Sequence, residues 1–313
     1  MTDRDPARRP PFTDDASGIA AATNLRGRVC IVTGGTRGIG RATALSFARL
    51  GADVVVIGRD DGRLETVRRE AEALGGSGRV FPIRADFASL AEVQRAADEI
   101  VRRWSSVAVL VNNAGINSAR RVSSTDGYEL TFAVNHLAPF LFTTALVPLL
   151  EAGSPARIVN VMSVFAHAGR VDLADPMFAR RRYSSTLAYT QSKVATAMFT
   201  IDMAERLDPS RVTVNGVSPG LVATHLLREH WYFGPAWLRA LWTPWLLTPE
   251  RAAERVVRVA TSVALAGESG RCYAGSTKAV RWPAGARDAR KRGALWKLSE
   301  SLVASARSAA AGV

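Results

Sequence analysis

Six short apolar runs recur through the first two thirds of the chain, and five stretches of helical patterning separate them. The runs are Val29-Cys30-Ile31-Val32, Asp53 to Ile57, Arg79 to Ile83, Val107 to Val111, Arg157 to Val161 and Arg211 to Asn215. The helical stretches run from a glycine-rich turn to Leu50, from Asp60 to Leu74, from Ala88 to Trp104, roughly from Gly127 to Leu150, and from Ala188 to Leu207. The runs are continuous in Val and Ile rather than alternating apolar with polar. That predicts strands covered on both faces. Strand and helix in strict alternation predict right-handed βαβ crossovers and a parallel sheet. The expected architecture is α/β, a doubly wound parallel sheet in one domain over residues 27–280. Ligands bind such a sheet in a crevice at the carboxyl ends of its strands.

The flanks read differently. Residues 1–26 are rich in Arg, Asp, Pro and Ala without periodicity and are expected to be a flexible extension. Residues 281–313 carry seven bases and two acids. There Leu295, Leu298 and Leu302 recur at helical spacing beside Trp296, predicting a packed amphipathic helix with a basic outer face. The whole chain has 41 Lys and Arg against 28 Asp and Glu, a formal net charge of +13, and four of the 41 are lysines. A basic excess can mark nucleic-acid or anionic-membrane contact. Scattered charges and the absence of a nucleic-acid motif favour a compositional preference for Arg. Membrane-surface contact stays open as an alternative. Two cysteines, Cys30 and Cys272, cannot build a disulfide framework or a zinc site, and the four histidines lack metal-ligand spacing, so no metal is expected. The N-terminus has no secretory pattern, and the longest apolar stretch, Leu137 to Leu150, suits a buried helix. A cytoplasmic location is the default expectation.

The first apolar run leads directly into Thr33-Gly34-Gly35-Thr36-Arg37-Gly38-Ile39-Gly40. Gly34, Gly38 and Gly40 are spaced G-x-x-x-G-x-G at a strand-to-helix turn. Small residues let backbone approach a pyrophosphate, and the helix N-terminus supplies N–H donors and the positive end of its dipole. The second run ends at Gly58, where NAD-preferring sites place an acid for the ribose 2′-hydroxyl. Arg59 follows it, and Arg37 lies inside the loop. Two guanidinium groups there would pair with a 2′-phosphate, which predicts NADP over NAD. In the competing reading Arg59 is a solvated surface residue and Asp60 or Asp61 holds the ribose. NAD remains the alternative cofactor.

Tyr189-Thr190-Gln191-Ser192-Lys193 is a Y-x-x-x-K motif on a helical pattern, and a spacing of four places Tyr and Lys on one face. A nearby ammonium favours the phenolate and would make Tyr189 a usable acid/base. Ser163 ends the fifth run and Asn135 lies in the long helical stretch. The loop and these residues resemble the short-chain dehydrogenase/reductase family, which adopts the Rossmann fold, whose loop reads T-G-x-x-x-G-x-G and whose catalytic tetrad is Asn-Ser-Tyr-Lys. The resemblance implies a tetrad of Asn135, Ser163, Tyr189 and Lys193. In it Tyr189 exchanges a proton with the substrate oxygen and Ser163 stabilises that oxygen. Lys193 holds the nicotinamide ribose and lowers the Tyr189 pKa, while Asn135 fixes a water. It implies cofactor contacts from Gly34, Thr36, Arg37, Gly38, Ile39 and Gly40, and from Asp86 and Phe87. The turn Asn112 to Gly115 would wall the cleft through Asn113, Ala114 and Gly115. Asp86 could instead, or in addition, be a helix N-cap before Ala88. The segment Ser218 to Thr224, with Pro219, Gly220, Val222 and Thr224, resembles the one that orients the nicotinamide amide.

His136-Leu137-Ala138-Pro139-Phe140, the 26-position gap from Ser163 to Tyr189, and Leu295 to Glu300 look like the retinol dehydrogenase-like branch of that family. The likeness spans roughly residues 26–305, without the N-terminal membrane anchor of the animal enzymes. Residues 222–247 are expected to form a substrate lid. Four of the seven tryptophans, Trp231, Trp237, Trp242 and Trp245, fall there with Tyr232 and Phe233. They serve either as a helix packed on the core, as an apolar pocket wall, or as a surface that dips into a membrane interface. The expected substrate is a small apolar carbonyl or alcohol resembling a retinoid, a steroid or a long-chain aldehyde. The resemblance also implies a homo-oligomer. A catalytically idle NADP-binding regulator, or a scaffold at a membrane surface, is the competing reading.

Overall fold

The computed structural model describes residues 24–222 and 246–311. Eight strands form one sheet in the order β3-β2-β1-β4-β5-β6-β7-β8. The strands are β1 Val29–Thr33, β2 Asp53–Gly58, β3 Arg79–Arg84, β4 Val109–Asn112, β5 Ala156–Val161, β6 Val212–Val217, β7 Cys272–Tyr273 and β8 Ala279–Val280. All neighbours are parallel except β8, which returns antiparallel to β7. The strand order reverses between β1 and β4, so the crevice of a doubly wound sheet opens there.

Helices cover both faces. On one side lie α1 Gly38–Arg49, α2 Asp61–Ala73 and α6 Pro249–Thr261; on the other lie α3 Leu90–Arg103, α4 Leu130–Ala152, α5 Ser185–Arg206 and α7 Ala289–Ala311. Alternate residues of each strand feed the two cores. In β1, Ile31 packs with α4 and α5, while Cys30 and Val32 pack with α1 and α6. This is why the apolar runs are continuous in sequence. Helix α4 is long and apolar enough to cross a membrane by length and composition, but 78% of its most apolar window is buried inside the fold. It is the sheet's central core helix.

Helix starts are local chemistry. Asp60, Ser89, Ser184 and Thr248 each accept a backbone N–H of the third residue on, capping α2, α3, α5 and α6. Asp60 is thereby committed to α2, and Asp61 lies in its first turn. Ser89 caps α3, so Asp86 is not that cap; its Oδ1 accepts Ala88 N at 3.0 Å one turn earlier. Two further departures from the sequence-based expectations stand out. Strand β6 extends to Val217, with Gly216 and Val217 paired to β5 on one side and to β7, absent from the apolar pattern, on the other. The long helical stretch is not uniform: Ala133–Leu137 forms a π-turn inside α4. The C-terminal stretch does fold as a helix, and α7 buries Leu295, Trp296 and Val303 against α4 and α5.

Candidate active site

The glycine loop is built by the ends of β1 and β4. Thr33 closes β1, and its Oγ1 accepts Asn113 N and Ala114 N, each at 3.0 Å. The Asn113 amide donates to Thr33 O at 2.9 Å and Gly34 O at 3.2 Å. Gly34 needs its freedom, since its φ is +63° and a Cβ would stand 2.8 Å from Ala114 Cα. A Cβ on Gly40 would stand 2.3 Å from both Asn113 Nδ2 and Gly34 O. The two motifs, some eighty positions apart, are therefore one device. Asn112 turns the other way, donating to Asn160 Oδ1 and Thr143 Oγ1, both at 2.8 Å, beneath the site.

This device borders a crevice of about 400 Å³. Gly34, Thr36, Arg59, Asp86, Phe87, Ala114 and Gly115, among the candidate cofactor residues, line it. Ile57, Gly58, Ala85 and Ala88 complete that wall, and Ile116, Leu130 and Val134 give it an apolar end. Gly38, Ile39 and Gly40 form the first turn of α1, and Arg37 is its N-cap residue. Helix α1 lacks the side-chain cap that starts α2, α3, α5 and α6, and it has no acid in its first turn. Its first N–H groups are thus left for an external acceptor. Arg37 and Arg59 are exposed and pair with no carboxylate among the described residues.

Gly115 joins the crevice to the tetrad. A Cβ there would stand 3.3 Å from Asn135 Oδ1 and 3.7 Å from Lys193 Nζ. Asn135 sits in the π-turn of α4, 2% exposed. Its amide accepts Ile116 N at 2.8 Å and donates to Ile116 O and Ser192 Oγ, both at 2.9 Å. Ser163 follows β5 and caps a short 3₁₀ turn, Val164–Ala168, through Phe165 N at 3.3 Å. Tyr189 and Lys193 lie one turn apart on α5, and Lys193 Nζ stands 5.9 Å from the Tyr189 ring centre. The structure brings all four together.

The electrostatics differ from the expectation in one respect. Burial raises the Tyr189 pKa, and its hydrogen bond with Ser163 is what opposes that rise. Lys193 is not a contributor. Its Nζ donates to Val161 O at 2.9 Å, and burial lowers its own pKa from 10.5 to about 8. Desolvation sets the direction of both shifts. The two other tyrosines near the site are engaged elsewhere: Tyr183 donates to Ser118 O at 2.9 Å, and Tyr128 to Leu302 O at 2.7 Å. Both buried thiols, Cys30 and Cys272, are pushed up to about 12, as suits inert core residues.

Sequence reasoning missed Arg255 of α6. It is 5% exposed, and its Nη1 donates to Pro219 O at 3.1 Å. Gly220, with φ +94°, lies against the same guanidinium, where a Cβ would stand 3.1 Å from Nη1. Arg255 thus braces the Pro219–Gly220 turn from below, through a contact no local pattern announces. Val222 is buried and bridges in parallel to Leu247. Thr224 and the aromatic cluster from Trp231 to Trp245 lie outside the described residues.

A family model described as short chain dehydrogenase matches residues 28–232. The chain belongs to the short-chain dehydrogenase family. Within the family it is similar to human retinol dehydrogenase 13, 35% identical over 283 residues that cover 89% of this chain and 85% of that protein. Mouse polyprenol dehydrogenase is 39% identical over 279 residues, covering 86% and 82%. These relatives place the chain in the retinol dehydrogenase-like branch. A solved short chain dehydrogenase from Burkholderia cenocepacia J2315, in complex with NADP, superimposes with a TM-score of 0.64 at 29% identity, covering 81% of this chain and 98% of that one.

Proposed function

We propose that this short-chain dehydrogenase interconverts an apolar carbonyl and its alcohol with NADP(H), and that Tyr189 is its acid/base. The observation that carries this reading is the convergence of Asn135, Ser163, Tyr189 and Lys193 beside the crevice, joined to it at Gly115. The uncapped N-terminus of α1 suits a pyrophosphate, and Arg37 and Arg59, without a carboxylate partner among the described residues, suit a ribose 2′-phosphate. Gly34, Thr36, Asp86, Phe87, Ala114 and Gly115 would then line the adenosine and nicotinamide halves, with Pro219, Gly220 and Val222 closing the far side. The bound NADP(H) supplies or accepts the hydride.

The chain's own residues manage the proton. Tyr189, its pKa raised by burial, is protonated at neutral pH and is set to donate to a carbonyl oxygen. Ser163, hydrogen-bonded to Tyr189, presents its hydroxyl to that same oxygen and stabilises its developing charge. Lys193, its pKa lowered by burial to about 8, would hold the nicotinamide ribose through its ammonium.

Apolar surface near the tetrad favours an apolar substrate. Of the eight large apolar side chains exposed among the described residues, Val164, Phe165, Leu187 and Leu221 flank Ser163, Tyr189 and Gly220 in sequence. The names of the relatives, retinol and polyprenol dehydrogenases, agree with that class. A screen of retinoid, steroid and long-chain carbonyls with NADPH, read at the nicotinamide absorbance, tests the reading. Tyr189→Phe should lower turnover by about 10² to 10⁴-fold while NADPH still binds. Turnover that survives the substitution would refute the assignment.

A further inference from the structure

Asn135 and His136 are consecutive in the π-turn Ala133–Leu137, and their side chains leave it in different directions. Asn135 reaches Ile116 and Ser192 at the site. His136 reaches the C-terminal helix, its Nε2 lying 2.8 Å from Ser299 Oγ. Ser299 Oγ also lies 2.8 Å from Leu295 O, to which its proton goes, so Nε2 carries the hydrogen that binds Ser299. The alternative tautomer would strand an Nδ1–H, since Nδ1 has no partner among the described residues. The ring is buried, with aromatic side chains on three sides. Its centre lies 4.9 Å from Phe132, 6.3 Å from Phe140 and 6.5 Å from Phe199. The cavity beside it measures only about 10 Å³ and is also lined by Asp202 and Arg292, which pair with each other, so Ser299 is the hydrogen-bond partner of His136 among the described residues.

A π-turn holds one residue more than an α-turn, is rare, and concentrates at functional sites. It persists where tertiary contacts outweigh the helix's own preference. Here both sides of the wide turn are tied, one to the Ile116 backbone and one to Ser299. We propose that Ser299, acting through His136, is a positioning residue for Asn135, so that the C-terminal helix holds the active-site turn in register. Removing the Ser299 hydroxyl leaves the His136 N–H buried without an acceptor. The ring must then move, and the π-turn moves with it toward ordinary α geometry. Helix α7 is anchored for this duty by Arg292, whose guanidinium is 2.6 Å from both Asp202 and Glu205 of α5. Trp296 packs on Phe140 with ring centres 4.9 Å apart. The inference rests on the reading of Asn135 as a member of the tetrad.

The test compares Ser299→Ala, His136→Ala, His136→Gln and Val303→Ala in the full chain. It measures kcat, the KM for NADPH and the melting temperature, using the best carbonyl from the screen above. Gln keeps an N–H donor near the Nε2 position. Val303, 6% exposed on the same helix, loosens α7 without touching the pair. Ser299→Ala should lower kcat roughly ten- to a hundred-fold with the KM for NADPH unchanged. His136→Ala should lose kcat to the same extent as Ser299→Ala, and His136→Gln should keep most of it. Val303→Ala should lower the melting temperature and leave kcat near the wild-type value. If Ser299→Ala loses no more kcat than Val303→Ala at a matched melting temperature, while Tyr189→Phe is inactive, the positioning role is overturned and the tetrad stands. If Tyr189→Phe keeps its turnover, the reading of the tetrad falls, and this inference with it.

Discussion

Thr33 shows how much one hydroxyl can organise. Its oxygen receives two backbone N–H groups of the Asn113–Ala114 turn and donates to Val111 O at 3.4 Å. Thr33→Val keeps the shape but leaves the half-buried Ala114 N–H without its acceptor and the Asn113 N–H with Val111 O alone, at 3.1 Å. An orphaned donor costs about 1–3 kcal/mol. The variant should therefore melt several degrees lower and bind NADPH more weakly, by thermal denaturation and fluorescence titration. A variant that melts and binds like the wild type would remove Thr33 from this role. Arg37 and Arg59 make a different prediction, about discrimination. Neither has a carboxylate partner among the described residues, so replacing both with Ala disturbs little of the fold. A hydrogen bond between charged groups is worth about 1.5–3 kcal/mol. The KM for NADPH should rise at least about ten-fold, with the KM for NADH almost unchanged. An equal rise for both cofactors would overturn the NADP preference. The pairing of Tyr189 with Lys193 and the glycine turn were legible at this scale because Tyr189 and Lys193 share a helix turn and the glycines of the loop are local. The environment of Tyr189 was not. Its pKa direction depends on burial by segments distant in sequence, and Lys193 turns to Val161 O rather than to the phenol.

Helix α7 is the element that local pattern described and only packing explained. The Leu295, Leu298 and Leu302 spacing points to an amphipathic helix, but not to the face that receives it. Its tie to α5 is a nearly enclosed ion pair, Arg292 with Asp202, whose side chains are 8% and 9% exposed. Taking one member of such a pair away leaves an uncompensated charge at a cost of about 3–5 kcal/mol. Arg292→Met should therefore destabilise the protein by that order in urea unfolding. Adding Asp202→Asn should restore part of the loss. If the double variant is no better than Arg292→Met alone, the buried charge is not the cause. Helix α4 shows the opposite limit. Its apolar composition announces a buried helix, yet nothing in composition marks the π-turn that carries Asn135 and His136.

Across the whole molecule, burial of titratable groups couples stability to pH. His136 is lowered by burial from 6.5 to about 3. Between those values the unfolded chain binds a proton at His136 and the folded protein does not. The contribution of this group to stability is therefore complete above pH 6.5 and is lost as pH falls toward 3. His136→Gln should flatten the fall in urea midpoint across that window, and parallel curves for variant and wild type would argue against it.

The periodic apolar runs and the glycine spacing by themselves determined a doubly wound parallel sheet with a dinucleotide-type crevice. Both are local signals, since strand burial and the strand-to-helix turn are written in consecutive residues. The same holds for Tyr189 and Lys193, four positions apart on one helix. Tertiary structure alone decided the rest. It extended β6 by pairing Gly216 and Val217 with β5 and β7, and it set Arg255 beneath Pro219 and Gly220. It also placed Ser299 against His136, 163 positions away. Such contacts depend on which surfaces meet when the sheet twists and the helices pack. A linear pattern does not encode the distance between residues that only folding brings within a hydrogen bond.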